Sequence, residues 1–169
     1  KGEAISLGNL GNIAQTRGDL AEAERLHRVS LAIDREIGYR QGVGETLQNL
    51  GELNLHSGNY ADAEKYYRES SVISTETGNQ TLLARNLGGL GVVLLRNGDY
   101  IGAEKSQRKS LSIRRDIGDW QGVAAALIGL GGVLLQRNIP EHYECYKEAV
   151  EIHRQMGIPI DPWFIENGY

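Results

Sequence analysis

Leu10-Gly11 recurs as Leu50-Gly51, Leu90-Gly91 and Leu130-Gly131, a strict spacing of forty residues along a chain of 169. A second leucine stands three residues before each, at Leu7, Leu47, Leu87 and Leu127. Gly18-Asp19, Gly58-Asn59 and Gly98-Asp99 follow at the same period, and then Ala23, Ala63 and Ala103. A period between twenty and fifty residues is the signature of a stacked array, because one such unit cannot bury its own apolar face. The clearest copy is the run from Glu45 to Ser70, which reads as two amphipathic helices around a tight turn.

Each unit therefore predicts a helix A, a glycine turn and a helix B. In the first, Leu7, Leu10, Ile13 and Ala14 follow the i, i+3, i+4, i+7 pattern, and Ala23, Leu26, Ser30, Leu31 and Ile33 form the B stripe. Gly18 supplies a left-handed helix end and Asp19 an N-cap. The expected pairs run over about 3–17 and 20–37, 42–57 and 60–77, 81–97 and 100–117, then 121–137 and a last helix from near Pro140. That last turn degenerates to Asn138-Ile139-Pro140 with one residue lost. The fold expected is an all-α, right-handed superhelical solenoid of four helix pairs over 1–157, with repeats at 1–40, 41–80, 81–120 and 121–157. Residues 158–169 break the period. There Asp161-Pro162 opens a short helix, and Trp163, Phe164 and Ile165 are read as a cap over the open end, with a partner-binding tail as the alternative. Lys1-Gly2 aligns with the repeat boundary at Gln41-Gly42, which suggests a fragment of a longer array or a processed chain.

Composition narrows the function. A net charge of -4 argues against a nucleic-acid face or an anionic membrane surface. No apolar run is long enough to cross a bilayer. The lone Cys145 fits a reducing, cytoplasmic setting, and it replaces Leu26 and Tyr66 on the B stripe, so it reads as a core residue. His27, His56, His142 and His153 occupy different repeat positions with no pair at i, i+4, so no metal site is expected. No nucleophile–base arrangement and no phosphate-cradling loop is legible; neither an enzyme nor a cofactor is implied.

The Leu-x-x-Leu-Gly of each A helix, the glycine turn and the B-helix alanines resemble the tetratricopeptide repeat, as do the small residues Ser30, Ser70, Ser110 and Ala149. The long period is similar to that of kinesin light chains, Pins-type adaptors and many bacterial and archaeal regulators. The chain departs from the pattern where an early helix-A aromatic is replaced by leucine and the proline after helix B is absent. The resemblance implies a protein–protein interaction scaffold that takes a peptide or helical segment in a concave groove lined by the A helices. A sensory arm of a larger regulator and an array self-associating through its repeat ends are the alternatives.

The same resemblance nominates the groove residues: Asn9 and Asn12 in repeat one; Glu45, Gln48, Asn49 and Glu52 in repeat two; Arg85, Gly88, Gly89, Val92 and Arg96 in repeat three; Ile128, Gly129, Gly132 and Leu135 in repeat four. The groove would thus pass from amide-rich and acidic, through two arginines, to an apolar end offering an anchor near Ile128 and Leu135. Asn12, Asn49 and Arg85 fall on three positions of the family's carboxylate clamp, but Gly8 and Gly89 stand where a lysine and an arginine would be needed. Helical glycine costs about 1 kcal/mol relative to alanine. Gly88, Gly89, Gly129 and Gly132 therefore need a reason: either they clear the groove floor, or they let A helices pack closely. On the first reading, Gly129→Leu would block the groove and leave the fold intact.

Overall fold

The structure, a computed structural model, describes residues 2–169, so the expected boundary residue Lys1 lies outside the described part. Among the described residues there are nine helices and no strand: α1 (Gly2–Thr16), α2 (Leu20–Glu36), α3 (Arg40–His56), α4 (Tyr60–Glu76), α5 (Gln80–Arg96), α6 (Tyr100–Asp116), α7 (Trp120–Gln136), α8 (His142–Gln155) and α9 (Pro162–Glu166). Odd and even helices form four antiparallel A/B pairs, and each B helix packs on the A helix that follows it.

The turns have a simple cause. Gly18, Gly58 and Gly98 take φ of +82°, +77° and +81°, a region that disfavours any residue with a Cβ. Asp19, Asp99 and Asp119 then accept from the backbone N–H three residues on, at 3.1, 2.9 and 2.9 Å, capping α2, α6 and α7. The turn before α8 keeps the same conformation without the glycine: Asn138 sits at φ +54° and Ile139 N–H bonds Leu134 O at 2.9 Å. The missing residue is absorbed afterwards. Pro140 and Glu141 form a turn, and α8 begins at His142, two residues later than the proline rule suggests.

A helices touch their A neighbours (α1 on α3, α3 on α5, α5 on α7), whereas the B helices stand further apart. B neighbours meet through long side chains, as in Arg35–Glu69 at 2.7 Å, Arg108–Glu141 at 2.8 Å and Arg115–Glu148 at 2.6 Å. Close A spacing and wide B spacing curve the stack with its A helices on the inside. The core is accordingly a string of junction clusters. Leu53 packs with Ala14, Ala23 and Leu26; Leu50 with Leu31, Val43 and Ile73; and Val133 with Tyr67, Leu90 and Ala103. In α1 the residues matching Leu50 and Leu53 are Leu10 and Ile13, which are 51% and 47% exposed because no helix pair among the described residues packs on that side of α1.

Serines fix the first three pairs internally. Ser30, Ser70 and Ser110 donate to the main-chain carbonyls of Ala4, Gly44 and Ala84 at 2.9, 2.7 and 2.7 Å, one bond repeated at the period of the sequence. Asn86 extends the pattern across a junction by donating to Ser70 Oγ at 2.7 Å. At the far end Phe164 is buried with Tyr146 and Val150, and the Tyr146 ring lies 5.4 Å from Phe164 and 5.0 Å from Tyr169. Ile165 points away and is 63% exposed.

Candidate concave interface

The inner face carries three adjoining cavities. The first, of about 360 Å³, lies at the junction of repeats one and two, between Asn9, Asn12, Ser30, Asp34, Tyr39, Glu45, Asn49 and Leu82. The second, of about 550 Å³, is walled by Asn12, Gln15, Thr16, Asn49, Glu52 and His56. The third, of about 330 Å³, contains Leu55, Tyr67, Gly88, Gly89, Val92, Gln107, Arg114 and Gly129. Gln48 and Arg85 line all three, so the cavities form one channel across repeats one to four.

Many polar groups along it are unengaged. Among the described residues the side chains of Asn9, Asn12, Asn49 and Arg85 make no hydrogen bond or ion pair within the chain. Gln48 donates to Glu52 at 3.1 Å and Gln41 to Glu45 at 2.9 Å, which holds both carboxylates on the groove side of α3.

Four nominated residues lie apart from these cavities. Arg96 is eleven residues beyond Arg85, which keeps it on the same helix face but carries it roughly 16 Å along the axis, to the last turn of α5. Leu135 sits likewise at the end of α7. A Cβ added at Gly132 would stand 3.8 Å from the Tyr146 hydroxyl, and Ile128 packs against Tyr146, Val150 and Phe164, so the chain's own tail covers the expected apolar anchor at Ile128.

The second arginine of the channel is Arg114, which comes from α6. Its guanidinium donates to Ser110 Oγ at 3.2 Å and stands 3.6 Å from Asp119. Burial lowers its pKa, Asp119 opposes that and nearby Arg85 adds to it. Tyr67 and Gln107 also reach the channel floor from B helices. All three belong to polar columns on an otherwise apolar B stripe: His27, Tyr67, Gln107, Tyr146 and Asp34, Ser74, Arg114, His153. Reading down those columns is the signal that would have found them.

The columns also account for the glycines. A Cβ placed at Gly89 would stand 2.7 Å from Tyr67 Cε1, and one at Gly129 would stand 2.7 Å from Gln107 Nε2. These two glycines make room for B-helix side chains, which is neither of the expected reasons. Gly129→Leu is therefore unsuited as a groove block, since it would displace Gln107 from its bond to Gly88 O at 3.1 Å. Gly88 differs: a Cβ there meets Ser110 Oγ and Arg114 Nη2 at an ordinary 3.6 Å.

Two buried groups are electrostatically uncomfortable. His27 is fully buried under Gly11 with neither ring nitrogen partnered; burial lowers its pKa, against the pull of Glu52. Asp34 is pushed up by burial and by Glu45, with the amino-terminal charge acting the other way. The Cys145 thiol is buried and also pushed up, which keeps it protonated and inert. Among the described residues there is no cluster of three metal-ligating side chains, and no helix is long and apolar enough to cross a membrane.

The tetratricopeptide-repeat profile matches residues 2–75 and 82–155. No curated protein matches the chain in sequence. Among solved structures, BtubC (BKLC) from P. vanneervenii superposes with a TM-score of 0.82 at 20% identity, over 94% of this chain and 66% of that one. Aspartyl phosphate phosphatase F from Bacillus subtilis superposes with a TM-score of 0.83 at 12% identity, over 91% of this chain and 41% of that one. The chain thus spans less than two thirds of either neighbour's length, and at these identities the likeness is one of fold. With two matched stretches covering most of its length, the chain belongs to the tetratricopeptide-repeat family.

Proposed function

We propose that this chain is a protein-interaction scaffold that receives an extended or helical segment of a partner in the channel over α1, α3, α5 and α7. Tetratricopeptide repeats as a class mediate contacts between proteins, and the concave channel is the finer assignment. The observation that carries it is the continuity of three cavities through Gln48 and Arg85, with Asn9, Asn12 and Asn49 unengaged along their walls. Asparagine amides both donate and accept, so they suit a peptide backbone. Arg85 with Arg114 offers an anionic side chain a place above Gly88, while Glu45 and Glu52 favour a basic residue beside it. No catalysis is asked of any residue in this reading.

Gly88→Leu is the decisive variant, because its side chain enters the third cavity and leaves the core alone. A partner segment titrated against it is expected to bind at least tenfold more weakly, with unchanged helical circular dichroism. Lys65→Glu, on the convex α4, is expected to bind normally. Full affinity of a folded Gly88→Leu protein would move the site off this face.

Self-association through the repeat ends is a second reading, favoured by the exposed Leu10 and Ile13 at positions buried in every other repeat. Light scattering across a concentration series tests it. Dimers abolished by Ile13→Lys support it, and a monomer at all concentrations removes it.

A further inference from the structure

The repeat columns place one buried charge where, among the described residues, no side chain answers it. At the Asp34 position of successive B helices stand Asp34, Ser74 and Arg114, and eight residues on stand Gly42, Leu82 and Gly122. The two columns vary together. Ser74 is short and bonds Ser70 O at 2.8 Å, and Leu82 beside it is buried. Asp34 and Arg114 are longer, and each faces a glycine: a Cβ at Gly42 would lie 2.7 Å from Asp34 Cγ, and one at Gly122 would collide with Arg114. At the third junction Asp119 partners the Arg114 charge. At the first junction the residue in the Asp119 position is Tyr39, which carries no charge.

Asp34 is only 3% exposed, and its Oδ1 has no hydrogen-bond partner among the described residues. The amino-terminal charge acts on it favourably, but no side chain forms an ion pair with it; a buried carboxylate without a close partner is costly, and the usual remedy is a paired cation. The two neighbouring arginines are committed elsewhere, Arg35 to Glu69 and Arg40 to Glu76. Arg85 lines the same cavity but makes no ion pair with Asp34 or Glu45. The cavity is open, and Glu45 contributes a second carboxylate to its wall. Asp34 and Glu45 belong to no cluster of three metal-ligating side chains, which favours an organic cation over a metal ion.

We infer that the cavity between repeats one and two is a subsite for a basic side chain of the partner, a lysine ammonium or arginine guanidinium seated on Asp34 with Glu45 beside it. The inference rests on the channel being the partner site and adds the residue class that its amino-terminal end reads. The asparagines 9, 12 and 49 around the cavity would hold the flanking backbone.

The test begins with a random dodecapeptide library selected on the whole protein. The best binder's basic residue is then replaced by norleucine, which keeps the aliphatic stem and removes the charge. Affinities of both peptides are measured on wild type, Asp34→Asn and Gly42→Ala, with circular dichroism as the folding control. Asp34→Asn removes a buried charge and leaves the residue's shape, so it is expected to fold. Norleucine is expected to cost about tenfold on wild type and nothing further on Asp34→Asn; Gly42→Ala, whose methyl crowds both the Tyr39 ring and the Asp34 carboxylate, is expected to reduce the norleucine penalty. An equal norleucine penalty on wild type and Asp34→Asn overturns the inference, as do selected peptides without a basic residue. If those peptides still lose binding to Gly88→Leu, the channel stands and only the subsite falls. Peptides indifferent to Gly88→Leu, or none selected at all, count against the channel and the subsite with it.

Discussion

Gly88 and Gly89 are adjacent in α5, yet alanine should have opposite effects at the two positions. Alanine in a helix interior is worth about 1 kcal/mol over glycine through backbone entropy, and both substitutions share that gain. At Gly88 the new methyl meets only ordinary contacts, at 3.6 Å. At Gly89 it would stand 2.7 and 2.8 Å from Tyr67 Cε1 and Cε2. The ring also lies against the Gly51 backbone, so close that a Cβ added there would stand 2.9 Å from it, which leaves it little room to retreat. Relief requires α4 to move or the ring to tip into the channel, and overpacking of this kind costs typically about 1–3 kcal/mol. Gly88→Ala should therefore raise the melting temperature by about 2–4 °C, the shift that roughly 1 kcal/mol gives at this chain length. Gly89→Ala should lower it by a similar amount. Thermal melts of both variants decide, and a Tyr67→Ala background supplies the cycle, since Gly89→Ala should become stabilising once the ring is gone. Two stabilising alanines in the wild-type background would refute the account of these glycines.

His27 has a depressed pKa in the fold, so the unfolded chain takes up its proton first; stability is full above about pH 6.5, its ordinary value, and falls as pH drops below it. Urea midpoints between pH 5 and 8 should show that slope, and His27→Gln, the residue the column carries at Gln107, should flatten it. Asp34 titrates in the opposite sense, its raised pKa making protonation favourable to the fold at acid pH, so Asp34→Asn should be neutral or stabilising near pH 7 by chemical denaturation. Phe164→Ala should cost up to about 3 kcal/mol and speed amide exchange in α8, whereas Ile165→Ala should change stability by less than about 0.5 kcal/mol. Asn138→Gly should stabilise by up to about 1 kcal/mol in the same melts, because Asn138 holds a positive φ in the turn before α8.

The architecture was legible because a forty-residue period fixes where helices start, turn and stack before any contact is known. The A-helix positions within a turn or two of Arg85 were legible for the same reason, since helical spacing determines the face a residue shares. Axial distance was less visible, and it separates Arg96 from Arg85 even though both lie on one face. The B-helix contribution was hidden in another way. Tyr67, Gln107 and Arg114 interrupt an apolar stripe, and a single repeat gives no reason to send them between two A helices. Only the glycines opposite, Gly89, Gly129 and Gly122, show that the sequence makes room for them. Ile128 looked free because periodicity says nothing about where a tail beyond the last repeat will fold back.

The central claim, that the concave channel is the binding surface, is tested most directly by amide chemical-shift mapping. ¹⁵N-labelled protein is titrated with the library-selected peptide. The account predicts perturbations concentrated at Asn12, Gln48, Asn49, Glu52, Arg85 and Gly88, with α4 and α6 residues such as Lys65 and Lys105 unmoved. Perturbations centred on the convex B helices, or on Leu10 and Ile13 at the open end, would contradict it.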